Sequence, residues 1–327
     1  MILLAILILV LFFAGYLFLG KPKPAEKITW GVNFSQKHTE LLGLDWKAAY
    51  LAILDDLKVR NLKVASYWDL IEPEEEEYNF EDLDWQIKEA EKRGTKILLV
   101  IGMKVPRWPE CHEPHWVRNQ KLNIKNQRLL EYIEKVVNRY KDSEAIWAWQ
   151  VENELFFPFG ECPKIDKNFL KKEVSLVKSL DFKNRPIVIA DSGEFSLWIT
   201  AAGFGDIVGT TLHRRVWFKE FKTRVSYPFK PIYYWRRAQI IKKFFNKKVI
   251  CGELQAEPWC SVLLYDCSLE EQRKTMDLEQ FQKNINFARK TGLDEFYLWG
   301  SEWWYWMKEK QNKPEIWDEA RKLFINN

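Results

Sequence analysis

The sequence lacks a glycine-rich phosphate loop. After its first apolar run the chain reads Gly31-Val32-Asn33-Phe34, where a nucleotide-binding doubly wound sheet would place closely spaced glycines. It also lacks a basic stripe: 50 Lys and Arg are balanced by 46 Asp and Glu and spread along the chain, so no nucleic-acid partner is implied. Histidine and cysteine are scarce, with four and five residues, and their spacing matches no standard zinc signature. The densest cluster, Cys111-His112-Glu113-Pro114-His115, is interrupted by proline and reads as a cleft-lining loop. No metal and no cofactor is expected.

What is abundant is apolar and aromatic material. Hydrophobic residues make up 47% of the 327-residue chain, enough for one large core. Seventeen Trp supply flat apolar faces with a polar N–H at one edge, the surface on which a sugar ring stacks. Residues Ile2 to Leu19 form an uncharged run long enough to span a bilayer, so residues 1–20 read as a transmembrane segment or uncleaved signal anchor. Residues 21–27, KPKPAEK, read as a stiff linker, and 28–327 as the folded domain. Cys111, Cys162, Cys260 and Cys267 are candidates for two disulfides, which would suit a membrane-anchored, extracytoplasmic domain; five reduced thiols are the alternative.

Beyond the linker, short apolar runs alternate with stretches of helical periodicity, and eight such pairs can be counted. Strands are expected at 28–33, 62–66, 96–101, 145–151, 186–190, 206–210, 248–252 and 295–299. This pattern predicts an α/β fold of the (β/α)8 barrel class. Active sites of such barrels form at the carboxyl ends of the strands, so the polar residues there carry the functional reading. The fourth strand ends in Val151-Glu152-Asn153-Glu154 and the seventh in Cys251-Gly252-Glu253. Two carboxyl groups about 5–5.5 Å apart, one protonated and one ionised, are what retaining glycoside hydrolysis requires.

At these residues the sequence resembles the clan A glycoside hydrolases. Val151-Glu152-Asn153-Glu154 looks like the fourth-strand motif of the family 35 β-galactosidases. Ser66-Tyr67-Trp68-Asp69-Leu70-Ile71-Glu72-Pro73, with Tyr78-Asn79-Phe80, looks like the second unit of families 42 and 5. The resemblance implies Glu154 as general acid/base, Glu253 as nucleophile, Asn153 as partner of the sugar 2-hydroxyl and Trp299 as the stacking platform. The sequence departs from the clan at two places. Lys63-Val64-Ala65 stands where the second strand commonly carries an arginine, so support for the nucleophile is expected from elsewhere or to be missing. His213 stands near the place of a sixth-strand tyrosine and is a candidate substitute. Glu257 competes with Glu253, which is preferred because it lies directly at the strand end.

Trp68, Trp108, His112, Asp191 and Glu194 complete the substrate-binding candidates. For Asp191-Ser192-Gly193-Glu194 a helix cap and turn is an equally good reading. Trp303-Trp304-Tyr305-Trp306 is divided between core packing and outer sugar subsites. The sequence thus points to retaining hydrolysis of a β-linked oligo- or polysaccharide. A transglycosylase and an inactive membrane-tethered carbohydrate-binding barrel are the alternatives.

Overall fold

The computed structural model describes residues 12, 15–163, 166–219 and 221–325. Among the described residues the strands are β1 (Thr29–Phe34), β2 (Asn61–Ala65), β3 (Lys96–Ile101), β4 (Ile146–Val151), β5 (Ile187–Asp191), β6 (Ile207–Leu212), β7 (Arg215–Phe218), β8 (Thr223–Ser226), β9 (Lys248–Gln255) and β10 (Glu295–Trp299). Eight close into a parallel barrel in the order β1-β10-β9-β6-β5-β4-β3-β2, while β7 and β8 form a separate antiparallel hairpin.

Strand alternation divides the core into two shells. Inward-facing Leu98, Ala148, Val188, Ile250 and Tyr297 fill the barrel, and the outward-facing neighbours pack under the helices. Helix Leu122–Tyr140 buries Leu129, Tyr132, Ile133, Val136, Val137 and Tyr140, a stripe at three- and four-residue spacing. Helices Trp46–Asp55, Lys167–Leu180 and Leu278–Arg289 begin at Asp45, Asp166 and Asp277, whose carboxylates accept the free amide N–H groups of the first turn.

The eight barrel strands lie within two residues of their expected starts. The passage after β6 contains the β7–β8 hairpin, built by the β-forming residues Val216-Trp217-Phe218 opposite Thr223-Arg224-Val225. The Trp303 segment is a helix, Ser301–Gln311. Its Trp303 and Trp304 are buried and donate their indole N–H groups to Gln272 and Ala256, and Tyr305 packs on Trp317, so the run serves the core.

The expected membrane segment lies mostly outside the described residues. Among the described residues no helix is long and apolar enough to cross a membrane. Residues 15–18 are helical and lie against the barrel flank: Leu17 is buried and Phe18 stacks on Tyr233 with ring centroids 5.0 Å apart.

Candidate active site

Above the apolar interior layer the barrel carries a polar one, made by the strand ends. β4 contributes Gln150 and then a loop in which Glu152 and Glu154 both take left-handed backbone conformations, with φ of 58° and 41°. Such conformations are costly for residues with a Cβ and persist only where the surroundings enforce them. Here the enforcement is visible. Glu152 accepts the backbone N–H groups of Met103 (2.9 Å) and Lys104 (2.7 Å), Asn153 N–H donates to the Lys104 carbonyl at 2.7 Å, and Lys104 Nζ donates to the carbonyls of Glu154 (3.1 Å) and Phe157 (3.0 Å). Gly102, at φ 124°, leaves room for the Glu152 carboxylate; a Cβ there would collide with it. The loops after β3 and β4 therefore form one hydrogen-bonded unit, which the Cys111–Cys162 disulfide also crosses.

Glu253 reaches the same layer by a different device. Alternation along β9 would turn it outward, because Ile250 faces in and Cys251 faces out. The pairing with β6 instead shifts register, Thr210 opposite Cys251 and Thr211 opposite Glu253, so that Gly252 is the extra residue of a bulge. Bulges re-aim side chains, and this one points Glu253 at Lys63 Nζ, 2.8 Å away. The support expected from elsewhere thus comes from Lys63 itself, at an inward position of β2 and fully buried.

The two acids are treated oppositely. Glu253 has a buried cation as its partner. Glu154 has none among the described residues and accepts a hydrogen bond from the Thr211 hydroxyl at 3.3 Å. Burial, followed by the charge of Glu253, pushes the Glu154 carboxyl up to about 7. A third acid, Glu110, accepts from Asn153 Nδ2 at 3.3 Å and is pushed to about 8 by burial and by Glu253. Around pH 7 this centre therefore holds protonated carboxyls next to the lysine-paired one.

His213 is fixed by Glu194, which accepts its backbone N–H (2.8 Å) and the Tyr234 hydroxyl (3.1 Å) and lies 3.8 Å from its Nδ1. Burial opposes the imidazolium, but the Glu194 carboxylate outweighs it and raises the His213 pKa. His213 Nε2 is buried without a hydrogen-bond partner among the described residues, and the ring meets Trp299 edge-on at 5.8 Å. An unpaired buried donor in such a place suits a sugar hydroxyl. Trp299 also carries the Arg107 guanidinium over its ring, 4.6 Å from the centroid.

Other candidates have other duties. Glu257 pairs with Arg107, whose second amino group also reaches Glu302 at 3.0 Å. His112 Nε2 contacts the Arg107 carbonyl at 3.0 Å and its Nδ1 faces Lys37 at 3.1 Å; burial and Lys37 depress its pKa to about 3, so it is neutral. Asp191 caps its own turn through Ser192 N–H and Ser196 Oγ. Trp108 is 46% exposed on the rim beside Phe159. Trp68 is not a cleft residue: it is fully buried, stacks on Tyr132 at 5.5 Å and donates to Glu72, because helix Trp68–Ile71 turns its indole under the helices. Lys63, Lys104, Arg107 and Thr211 were not among the residues singled out for the site. A charged residue at an inward position of an apolar strand, as in Leu62-Lys63-Val64, is the signal that marks the first of them.

The family model of the glycoside hydrolase 42 β-galactosidases matches residues 46–181. The mannan endo-1,4-beta-mannosidase F of Aspergillus fumigatus is 32% identical over 123 residues, 34% of this chain and 26% of that protein. The chain thus spans about a quarter of that relative's length. Among solved structures, a β-galactosidase from Halorubrum lacusprofundi superposes with a TM-score of 0.58 at 15% identity, covering 83% of this chain and 52% of that one. A family 10 endo-beta-1,4-xylanase from Gloeophyllum trabeum gives 0.59 at 15% identity, covering 92% and 97%. The chain is thus similar to glycoside hydrolases over part of its length, and its fold is the barrel that these solved structures share.

Proposed function

We propose that the barrel hydrolyses a β-linked glycoside with retention of configuration, with Glu154 as general acid/base and Glu253 as nucleophile. The carrying observation is the opposite treatment of the two acids: Lys63 Nζ lies 2.8 Å from the Glu253 carboxylate, while burial and the charge of Glu253 hold Glu154 protonated up to about pH 7. In the first step Glu253 attacks the anomeric carbon and Glu154 gives its proton to the departing oxygen. Once Glu253 is an ester its charge is gone, the Glu154 pKa falls, and the same carboxylate deprotonates the incoming water. His213 Nε2 and Asn153 are placed to hold sugar hydroxyls.

The names of the relatives make β-mannosides and β-galactosides the first substrates to try. The test is aryl β-glycoside hydrolysis by the wild type, Glu253→Gln and Glu154→Ala, with azide added to the last. Loss in both variants, with azide restoring turnover of Glu154→Ala and giving a β-glycosyl azide, supports the assignment. An α-configured azide product overturns it.

We further propose that the apolar run of residues 2–19 anchors the barrel to a membrane on its extracytoplasmic side. The two disulfides, Cys111–Cys162 and Cys260–Cys267, support an oxidising compartment. Carbonate extraction and protease accessibility of intact cells test both parts.

A further inference from the structure

In a retaining site the acid stands on the side of the leaving group and the nucleophile lies under the ring that is retained. The surroundings of Glu154 and Glu253 therefore show what the enzyme permits on each side of the cut bond. Around Glu154 the loops after β4, β5 and β8 present apolar rings. Phe157 stacks on Phe195 at 5.5 Å, Phe195 meets Tyr227 at 5.6 Å, and Phe195 is 53% exposed. This side is an open aromatic wall.

The Glu253 side is sealed. Arg107, from the loop after β3, reaches Glu257 after β9, the strand directly opposite in the barrel, and Glu302 after β10. Glu302 accepts the backbone N–H of Ser35 at 2.6 Å, and Ser35 Oγ lies 2.6 Å from the Tyr67 hydroxyl, which donates to the Pro106 carbonyl at 3.3 Å. His38 Nε2 lies 3.6 Å from Glu257. The loops after β1, β2, β3, β9 and β10 are thereby tied into one buried polar clasp; Arg107 is 7% exposed, Glu257 2% and Glu302 0%.

From this asymmetry we propose that the enzyme is exo-acting: it takes one terminal, non-reducing β-linked sugar over Glu253 and releases the remainder of the chain along the aromatic wall. A polymer threading through the site would need a second ring where the clasp stands. The proposal rests on the double-displacement reading, and its test separates the two. Aryl β-mannoside, β-galactoside, β-glucoside and β-xyloside first select the sugar. The β-1,4-linked hexaose of that sugar, labelled at its reducing end, is then offered free and with its non-reducing terminus capped by a benzyl ether on the 4-hydroxyl, beside the soluble β-1,4-polysaccharides mannan, galactan, glucan and xylan.

The expected result is stepwise shortening of the free hexaose by one ring, an inert capped hexaose and polysaccharide viscosity that hardly falls. Internal cleavage of the capped hexaose or a rapid fall in viscosity overturns exo action and leaves the hydrolase reading intact. No turnover of any substrate overturns both. In Arg107→Met/Glu257→Gln, which removes one charge of each sign and leaves Glu302 its hydrogen bond from the Ser35 N–H, cleavage of the capped hexaose is expected to rise by at least about tenfold relative to the free one. A folded double variant with an unchanged ratio overturns the clasp as the cause.

Discussion

Lys63 and Glu253 form a buried ion pair, 2.8 Å from Nζ to Oε1, between strands three places apart in the barrel. Removing one member of such a pair strands the other charge, typically at a cost of about 3–5 kcal/mol. Lys63→Met is expected to lose on the order of 10²–10³ in kcat/KM on an aryl glycoside, because it removes the buried cation that holds the Glu253 carboxylate in place. Lys63→Arg should recover much of that loss. Equal activity in all three proteins would remove Lys63 from the mechanism.

The pH profile follows from Glu154. Since this carboxyl must start protonated, the alkaline limb of kcat/KM should fall near pH 7. Glu110, pushed to about 8 in part by the charge of Glu154, is still protonated where Glu154 ionises. Glu110→Gln should therefore leave the alkaline limb in place without abolishing turnover. A limb that moves to lower pH would show that Glu110 ionises first.

Stability should respond to the same groups with opposite signs. The Glu110 pKa is raised from 4.5 to about 8 on folding, so its contribution is complete below pH 4.5 and lost as pH climbs toward 8. Burial opposes ionisation of Glu257 too, but Arg107 outweighs it and lowers its pKa from 4.5 to about 2; its contribution is complete above pH 4.5 and lost as pH falls through 2. Thermal melts should show Glu110→Gln gaining on the wild type by a few degrees at pH 8, on the order of 1–3 kcal/mol, and not at pH 4. Glu257→Gln should show its deficit at pH 7 and lose it near pH 2.

Behind the site, Glu173 on helix Lys167–Leu180 faces Glu152. Burial, then the Glu152 charge, raises its pKa well above the ordinary carboxyl range. Held neutral in this way, Glu173 can donate to the Glu152 carboxylate. Glu173→Gln keeps a donor and should melt within about 1 kcal/mol of the wild type, whereas Glu152→Ala abandons the N–H groups of Met103 and Lys104 and should cost about 2–5 kcal/mol with activity falling alongside. Calorimetry of the two variants checks the contrast.

The barrel was legible because apolar runs and helical periodicity are local signals, and eight repeats of them leave few architectures. The acids were legible as residues at strand ends, but the orientation of Glu253 was not. Alternation from Ile250 turns it outward, and only the bulge at Gly252 reverses this, a register effect that pairing partners decide. Lys63 was read as a missing arginine because the sequence does not show that a shorter cation, aimed inward from β2, meets a bulged β9. Trp68 was misplaced for the converse reason. An aromatic residue just past a strand looks like a cleft residue until a one-turn helix rotates it into the core. Arg107 escaped notice because its partners, Glu257 and Glu302, are 150 and 195 residues away.

The weld between the loops after β3 and β4 has a consequence for fidelity. Arg107 belongs to the first of these loops and Glu154 to the second, and Glu152, Lys104 and the Cys111–Cys162 bond make them one body. On the proposed reading, the barrier to a second ring and the proton donor therefore belong to a single interlocked part. If that part lifts to admit a misplaced polymer, it carries the acid away from the bond, so a threaded chain can enter but stays whole.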